Sequence, residues 1–403
     1  MIHLALELVL ALLTVCGLAF YLMALWSAHL FRRMTRTGPS CAFSPPVSIL
    51  KPLKGMDDET YAALRSHCIQ EYGPYEIIFG VNDASDPAVA LVQRLASEFP
   101  HTDIRLVVCS EVFGANRKAS NLIHMLRETK YQYLLVNDGD IKVSPHYLRS
   151  VMSHFDNPKA GMVTCLYRAR LSRTLGSRLE ALGISTDFAP GVLTASYLED
   201  GLHFGLGSTL AMSRSALDKI GGFEAVVDYI ADDYQLGQRI SAAGFKVALA
   251  PEIVETFIPP YSFRQFREHQ LRWARTMRDS RPGGYRGLIF TYALPWAILL
   301  TVFAPHLWWA WTLLIATLAA RSAVAFSVGW ATLHDDNLLR DLWLLPLRDV
   351  LALAIWIWSY ADDTVIWRGE KFRLEKGRMH AVGNASDTVT PTIGRTGSGA
   401  QPR

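Results

Sequence analysis

Apolar residues crowd the two ends of the chain, and the middle alternates short β-branched runs with helically spaced ones. Leu8 to Trp26 is an uncharged apolar run of the ~20-residue length that spans a bilayer. A cleaved signal peptide would carry basic residues before such a run. Here Arg32, Arg33 and Arg36 follow it, which predicts a retained anchor over residues 1–31 with the chain entering the cytosol after it. Leu288 to Leu333 is a second apolar stretch, interrupted only by His306 and Arg321. It predicts two spans within residues 287–333, turning near Ala304-Pro305-His306. A helical hairpin inside a soluble core is the alternative, which the length and the Trp308-Trp309-Ala310-Trp311 belt disfavour. Pro346, Arg348 and Asp349 then break the pattern and leave Val350 to Tyr360 as the longest clean run. That is short for a span and suits a re-entrant or interfacial segment over residues 342–367. Arg368, Lys371, Arg373, Lys376 and Arg378 follow, and they favour the cytosolic side. Residues 381–403 are Gly/Ser/Thr-rich and predict a disordered tail, where the Asn384-Ala385-Ser386 sequon carries no meaning if the tail is cytosolic.

Residues 45–260 read as an α/β domain with a mainly parallel sheet. Val47-Ser48-Ile49-Leu50 is the first predicted strand, followed by a helix from about Glu59 to Gln70. Glu76 to Val81, Ile104 to Val108 and Tyr133 to Val136 are further strands, and Arg117 to Thr129 is a helix. Two of these strands end in acidic clusters, Asn82-Asp83 and Asn137-Asp138-Gly139-Asp140. Open α/β sheets bind ligands at such strand ends. The first strand is followed by neither GxGxxG nor GxxxxGK[ST], which argues against a dinucleotide oxidoreductase and excludes a P-loop NTPase.

Charge changes little of this picture. The net charge of +3 over 403 residues argues against a general polyanion binder. Five cysteines, Cys16, Cys41, Cys68, Cys109 and Cys165, form no CxxC pair and read as reduced cytosolic thiols rather than a zinc site or a disulfide framework.

The acids carry the candidate chemistry. Asp138-Gly139-Asp140 places two carboxylates around a glycine, where they could share a divalent ion with a diphosphate; an acidic turn is the plain alternative. Asp83 could accept a hydrogen bond from a uracil N3–H or a ribose hydroxyl, or could simply cap a turn or helix. Asp86, before Pro87, has the look of the cap and leaves Asp83 freer. Asp232-Asp233 offers a carboxylate base for an attacking hydroxyl, with solvated helix-start acids as the alternative. Residues 261–286 carry Arg264, Arg267, Arg272, Arg275, Arg278 and Arg281 among Phe263, Phe266, Leu271, Trp273 and Met277. They read as an amphipathic helix at the membrane surface. An arginine there can also pair with a diphosphate, and a tryptophan can wall an acceptor pocket. Adjacent spans make RNA binding by the same mix improbable, so no nucleic-acid partner is expected.

Lys51-Pro52-Leu53-Lys54-Gly55, Asn82-Asp83, Asp138-Gly139-Asp140, Ala231-Asp232-Asp233-Tyr234 and His269-Gln270-Leu271-Arg272-Trp273 occur in this order. Together they resemble the D1, D2, D3 and (Q/R)xxRW pattern of the ceramide glucosyltransferases, glycosyltransferase family 21, over about residues 5–375. The stretches from Asn116 to Ile123, Val163 to Arg168 and His269 to Thr276 resemble most the bacterial hopanoid-biosynthesis-associated branch. The resemblance implies a GT-A fold, a UDP-sugar donor, inversion at the anomeric carbon and a membrane lipid acceptor. For the hopanoid branch it implies UDP-N-acetylglucosamine and bacteriohopanetetrol, at the cytosolic face of a bacterial inner membrane. Position by position, it sets Asp83 at the nucleotide, Asp138 near metal and diphosphate with Asp140 completing the pair, and Asp233 as the base. Mg2+ or Mn2+ is the implied metal. Pro52, Lys118, Asp232, Arg272 and Trp273 are expected at the substrates. His269 stands where the pattern has Gln or Arg; it can still donate to phosphate, with a charge that varies with pH.

Two rivals remain. A processive polysaccharide synthase shares the motif logic but needs enough spans to form a polymer channel, and about three look too few. A non-catalytic membrane scaffold is opposed by the intact acids at all three positions. Leu182 to Gly207, with Asp187, Phe188, Pro190 and His203, is the candidate lining of a lipid cavity.

Overall fold

The computed structural model describes residues 2–36, 43–57, 59–171, 173–367 and 369–382. Cys41, Arg368 and the tail from residue 383, with its sequon, lie outside the described residues.

Seven strands form the central sheet: β1 (Val47–Pro52), β2 (Tyr75–Val81), β3 (Asp103–Val108), β4 (Tyr133–Val136), β5 (Ala160–Leu171), β6 (Leu210–Ser213) and β7 (Lys246–Ile258), in the order β3-β2-β1-β4-β6-β5-β7. β1, β2, β3 and β4 are parallel neighbours, whereas β6 runs antiparallel to both β4 and β5. The first four strands follow from their β-branched runs. β5, β6 and β7 were not legible in the same way, because their pattern is fixed by neighbours far away in sequence.

Helices cover both faces: α1 (Ile2–Arg36), α2 (Thr60–Cys68), α3 (Ala88–Glu98), α4 (Arg117–Arg127), α5 (Tyr147–Met152), α6 (Leu175–Gly183), α7 (Ala189–Leu198), α8 (Arg214–Lys219), α9 (Asp232–Ala242) and α10 (Phe263–Ser280). Consecutive strand residues feed opposite cores, as alternation requires. Ile49 and Ile77 join Leu64, Leu91 and Leu148 on one face. Leu50 and Ile78 join Leu122, Leu236 and Ala24 of α1 on the other. That second core continues into the apolar helices, so the sheet and the membrane segment share one packed interior.

The C-terminal part contains α11 (Pro282–Gly287), α12 (Ala293–Phe303), α13 (Trp308–Val324), α14 (Leu338–Asp341) and α15 (Leu345–Ser359). By length and composition three helical stretches can cross a membrane: His3–Thr35, Trp308–Trp330 and Leu338–Ser359. Pro282–Thr291 and Ala293–Phe303, bent by 49°, make a fourth if counted as one. α1 packs closely on α12 at Gly17, where a Cβ would stand 2.5 Å from that of Ala293. Charges that interrupt the apolar pattern turn inward. Arg321, 2% exposed, pairs with Asp349 at 2.6 Å and with Asp187 at 2.6 Å. Arg348 reaches Asp187 at 3.2 Å and Gln270 at 3.2 Å. Pairing of this kind is what makes a charge tolerable between apolar helices.

A small antiparallel sheet closes the chain: β8 (Thr364–Trp367), β9 (Glu370–Glu375) and β10 (Arg378–Ala381).

Candidate active site

The site lies where β1, β2 and β4 end and α4, α9 and α10 begin or pass. Lys118, in the first turn of α4, is its hub. Its Nζ lies 2.7 Å from Asp138 Oδ1 and 3.3 Å from Asp232 Oδ2. Burial works against the lysine charge, but Asp138, Asp232 and Asp233 outweigh it and raise its pKa above the ordinary value. α4 is set at this angle by Asn116, fully buried, whose Oδ1 accepts from Ala119 N at 3.0 Å, the usual N-cap geometry.

Asp233, at the start of α9, is anchored from two sides. Its Oδ2 accepts from Gly207 N at 2.8 Å and its Oδ1 from Tyr234 N at 2.7 Å. Burial, and then the charge of Asp232, push its pKa up to about 6, against the pull of Lys118. Gly207 separates the second and third acids: a Cβ there would stand 3.1 Å from both Asp138 Oδ2 and Asp233 Oδ2. One turn along α9, a Cβ at Gly237 would fall 2.1 Å from Gly205 N. Only glycine lets the 203–207 loop lie this close to α9.

Asp140 sits behind Asp138. Its Oδ2 accepts from Thr256 Oγ1 at 2.5 Å, and burial, with the charge of Asp138, raises its pKa. Two carboxylates that repel one another at a strand end, with Asp138 still 43% exposed, suit a hard divalent cation. No group of three or more His, Cys, Asp or Glu forms a metal cage among the described residues. Mg2+ completing its shell from substrate phosphates needs only one or two carboxylates, so the pair fits such an ion.

Pro52, at the end of β1, lies beside Gly139 and forms the floor between the β2 and β4 ends. Asp83 is apart from this group. It stands at the end of β2, two strands from Asp138, which is about 10 Å at the usual strand spacing. Its Oδ1 accepts from Ser85 N at 2.8 Å and Ser85 Oγ at 2.9 Å, which lowers its pKa. Asp86 is the residue that closes the turn, accepting from Ala88 N at 2.9 Å and from Gly55 N.

α10 begins with a capping box between Ser262 and Gln265. Three of its five arginines are occupied, Arg264 with Glu268, Arg275 with Thr364 O and Arg278 with Asp363, and Arg281, its C-cap, pairs with Glu199. Arg272, half-buried, makes no hydrogen bond or salt bridge among the described residues. Trp273 joins a row of rings, Tyr167–Phe188 at 5.0 Å, Phe188–Trp273 at 6.3 Å, Trp273–His269 at 5.3 Å and His269–Tyr261 at 5.4 Å. His269 bonds inward to Glu180 Oε1 at 3.1 Å, and Gln270 bonds to Glu180 Oε2 at 2.8 Å.

Thus Lys118, Asp138, Asp232 and Asp233 come together, with Asp140 and Pro52 behind them. Asp83 occupies the rim, and His269, Arg272 and Trp273 lie on the facing helix. Two residues without an assigned role also belong here. Lys51, fully buried at the end of β1, donates to Asp138 O at 3.0 Å, and burial pulls its pKa down to about 7. A lysine closing an apolar strand was the available signal. Glu180 had none, since a single acid on a short helix says nothing about its partner.

This arrangement defines a membrane-anchored GT-A type transferase domain. A mannosyltransferase from Pyrobaculum calidifontis, solved with GDP-mannose and Mn2+, shares the fold at a TM-score of 0.56 and 19% identity, over 88% of this chain and 98% of that one. The sequence pattern of Glycosyl transferase family 21 matches residues 9–380, and the chain belongs to that family. Among its relatives, ceramide glucosyltransferase 3 of Caenorhabditis elegans is 25% identical, covering 83% of this chain and 73% of its own length. Ceramide glucosyltransferase 1 of the same organism is 23% identical, covering 87% and 76%.

Proposed function

We propose that this protein transfers a sugar from a UDP-sugar to the hydroxyl of a membrane lipid, with inversion, and that Asp233 is the base. The observation carrying this reading is the Asp233 carboxylate. It is anchored by two main-chain N–H groups, has a pKa of about 6, and lies across Gly207 from Asp138. A base poised near the working pH is efficient at taking a hydroxyl proton. The lipid oxygen, as it loses its proton to Asp233, attacks the anomeric carbon from the face opposite the diphosphate. Lys118 and Arg272, which has no hydrogen bond or salt bridge among the described residues, carry positive charge towards the departing UDP. Asp83 holds the nucleotide at the rim, and Trp273 walls the acceptor side. Asp138 and Asp140 would hold Mg2+ or Mn2+, which supplies neutralisation of diphosphate charge when bound.

The sugar and lipid follow the hopanoid-branch resemblance: N-acetylglucosamine onto bacteriohopanetetrol, at the cytosolic face of a bacterial inner membrane. The basic residues in the last turns of α1, Arg32, Arg33 and Arg36, support that orientation. The names of the relatives favour a second reading, glucose from UDP-glucose onto ceramide. Purified protein given each donor with each lipid separates the two by product mass. In the same assay Asp233→Asn abolishes transfer and keeps UDP binding; an active variant removes Asp233 from the role of base.

A further inference from the structure

The terminal sheet β8–β10 lies outside the transferase core and after the last apolar helix, yet it touches the segments that lead into α4 and α9 and also packs on α10. Two loops meet beside Lys118 and Asp232. Ala115 N donates to Asp228 Oδ1 at 3.2 Å, and Asn116 N to Val227 O at 2.7 Å. Asn116 Nδ2, fully buried, donates to Tyr229 O at 2.8 Å and to Asp232 Oδ1 at 3.4 Å. These bonds latch the start of α4, with Lys118, to the start of α9, with Asp232 and Asp233.

The small sheet covers that latch. Met379 N donates to Asp228 O at 2.8 Å, and Ile230 N donates to Gly377 O at 3.4 Å. Ile230, two residues before Asp232, is buried with Val365, Phe372, Leu374 and Met379 in one apolar cluster, against which Ala115 packs. The same sheet grips α10, through Arg275 to Thr364 O at 2.7 Å and Gly377 N to Asp279. Three strands are about the least that make an independent sheet, and here their single apolar face is spent on a loop two residues from the acids.

We propose that β8–β10 is a clamp that positions Lys118, Asp232 and Asp233 for transfer, with Phe372 and Met379 as its positioning residues. The proposal rests on the reading of Asp233 as base. A displaced base loses turnover, since a misplacement of about 1 Å costs up to about 10²-fold, whereas nucleotide held on β2 and β4 keeps its contacts.

The test uses the full-length chain in detergent. Phe372→Ala is expected to lower kcat about tenfold or more, with UDP affinity, to which Lys118 also contributes, falling by clearly less than kcat. Amide exchange at residues 227–232 should be faster, and Phe372→Leu should return kcat to within about threefold of the parent by restoring apolar burial. A Phe372→Ala protein with parental kcat, or one losing UDP affinity in step with kcat, overturns the clamp. If Phe372→Ala does not fold, Met379→Ala is judged by the same criteria. Asp233→Asn is run alongside: transfer surviving in it sinks the base assignment alone, because exchange at residues 227–232 reports on the clamp independently.

Discussion

The two halves of the central sheet present their carboxylates in opposite ways. On the parallel half, Asp83 is exposed at a strand end and satisfied by Ser85, and its pKa is lowered. On the half that contains the antiparallel β6, Asp233 sits behind Gly207 and beside Asp232, and its pKa is pushed up to about 6. The first environment stabilises a permanent anion that can accept hydrogen bonds from a nucleotide. The second weakens the anion and so makes a proton acceptor. The difference comes from the Ser85 hydrogen bonds at Asp83 and from burial and a like-charged neighbour at Asp233, not from residue type.

The contrast can be broken most severely at Asp233. Asp233→Asn should reduce kcat by about 10²–10⁴-fold, with UDP affinity unchanged by calorimetry. Gly207→Ala comes next: its methyl would crowd both Asp138 and Asp233 at 3.1 Å. A loss of up to about 10²-fold in kcat is expected, and parental turnover would show that the two acids can move apart freely.

Lowering pH sharpens the comparison. With Asp233 as the proposed base, transfer would need it ionised, so kcat should fall about tenfold per pH unit below about 6. Stability responds with the opposite sign at this group. Its folded pKa exceeds the unfolded value, so the folded state holds the proton more tightly, and the stability this contributes is lost as pH rises through about 6. A pH–rate profile flat to pH 5 would contradict the raised value.

Smaller effects are expected away from the acids. Glu180→Ala releases His269 and Gln270, and should lower kcat/KM for the lipid about tenfold, the value of one charge-assisted bond. Asp83→Asn should be mildest, raising donor KM about three- to tenfold with kcat kept. A kcat effect there would mean that the rim and the acid cluster act as one unit.

Local pattern made much of this legible. Apolar runs marked the two ends of the chain, β-branched runs marked β1 to β4, and the acids at two strand ends marked the cleft. These features depend on residues close in sequence, and a strand announces its own faces. The family resemblance added the order of the motifs. What local pattern does not contain is partnership across long separations. Lys118 meets Asp232 across 114 positions of chain, and nothing near either residue announces the other. Arg348 and Asp349 read as interruptions of an apolar run until Asp187 and Arg321 are seen opposite them. Local pattern predicts no strands at β8–β10, whose first strand falls in the interfacial segment 342–367, because the apolar face of this sheet makes sense only against Ile230. The sequence alone therefore determined which residues could do acid, base and anion chemistry. The tertiary structure decided how each is ionised, because burial and neighbouring charge at Lys118 and Asp233, and hydrogen bonds from Ser85 at Asp83, act on side chains whose identity alone sets neither.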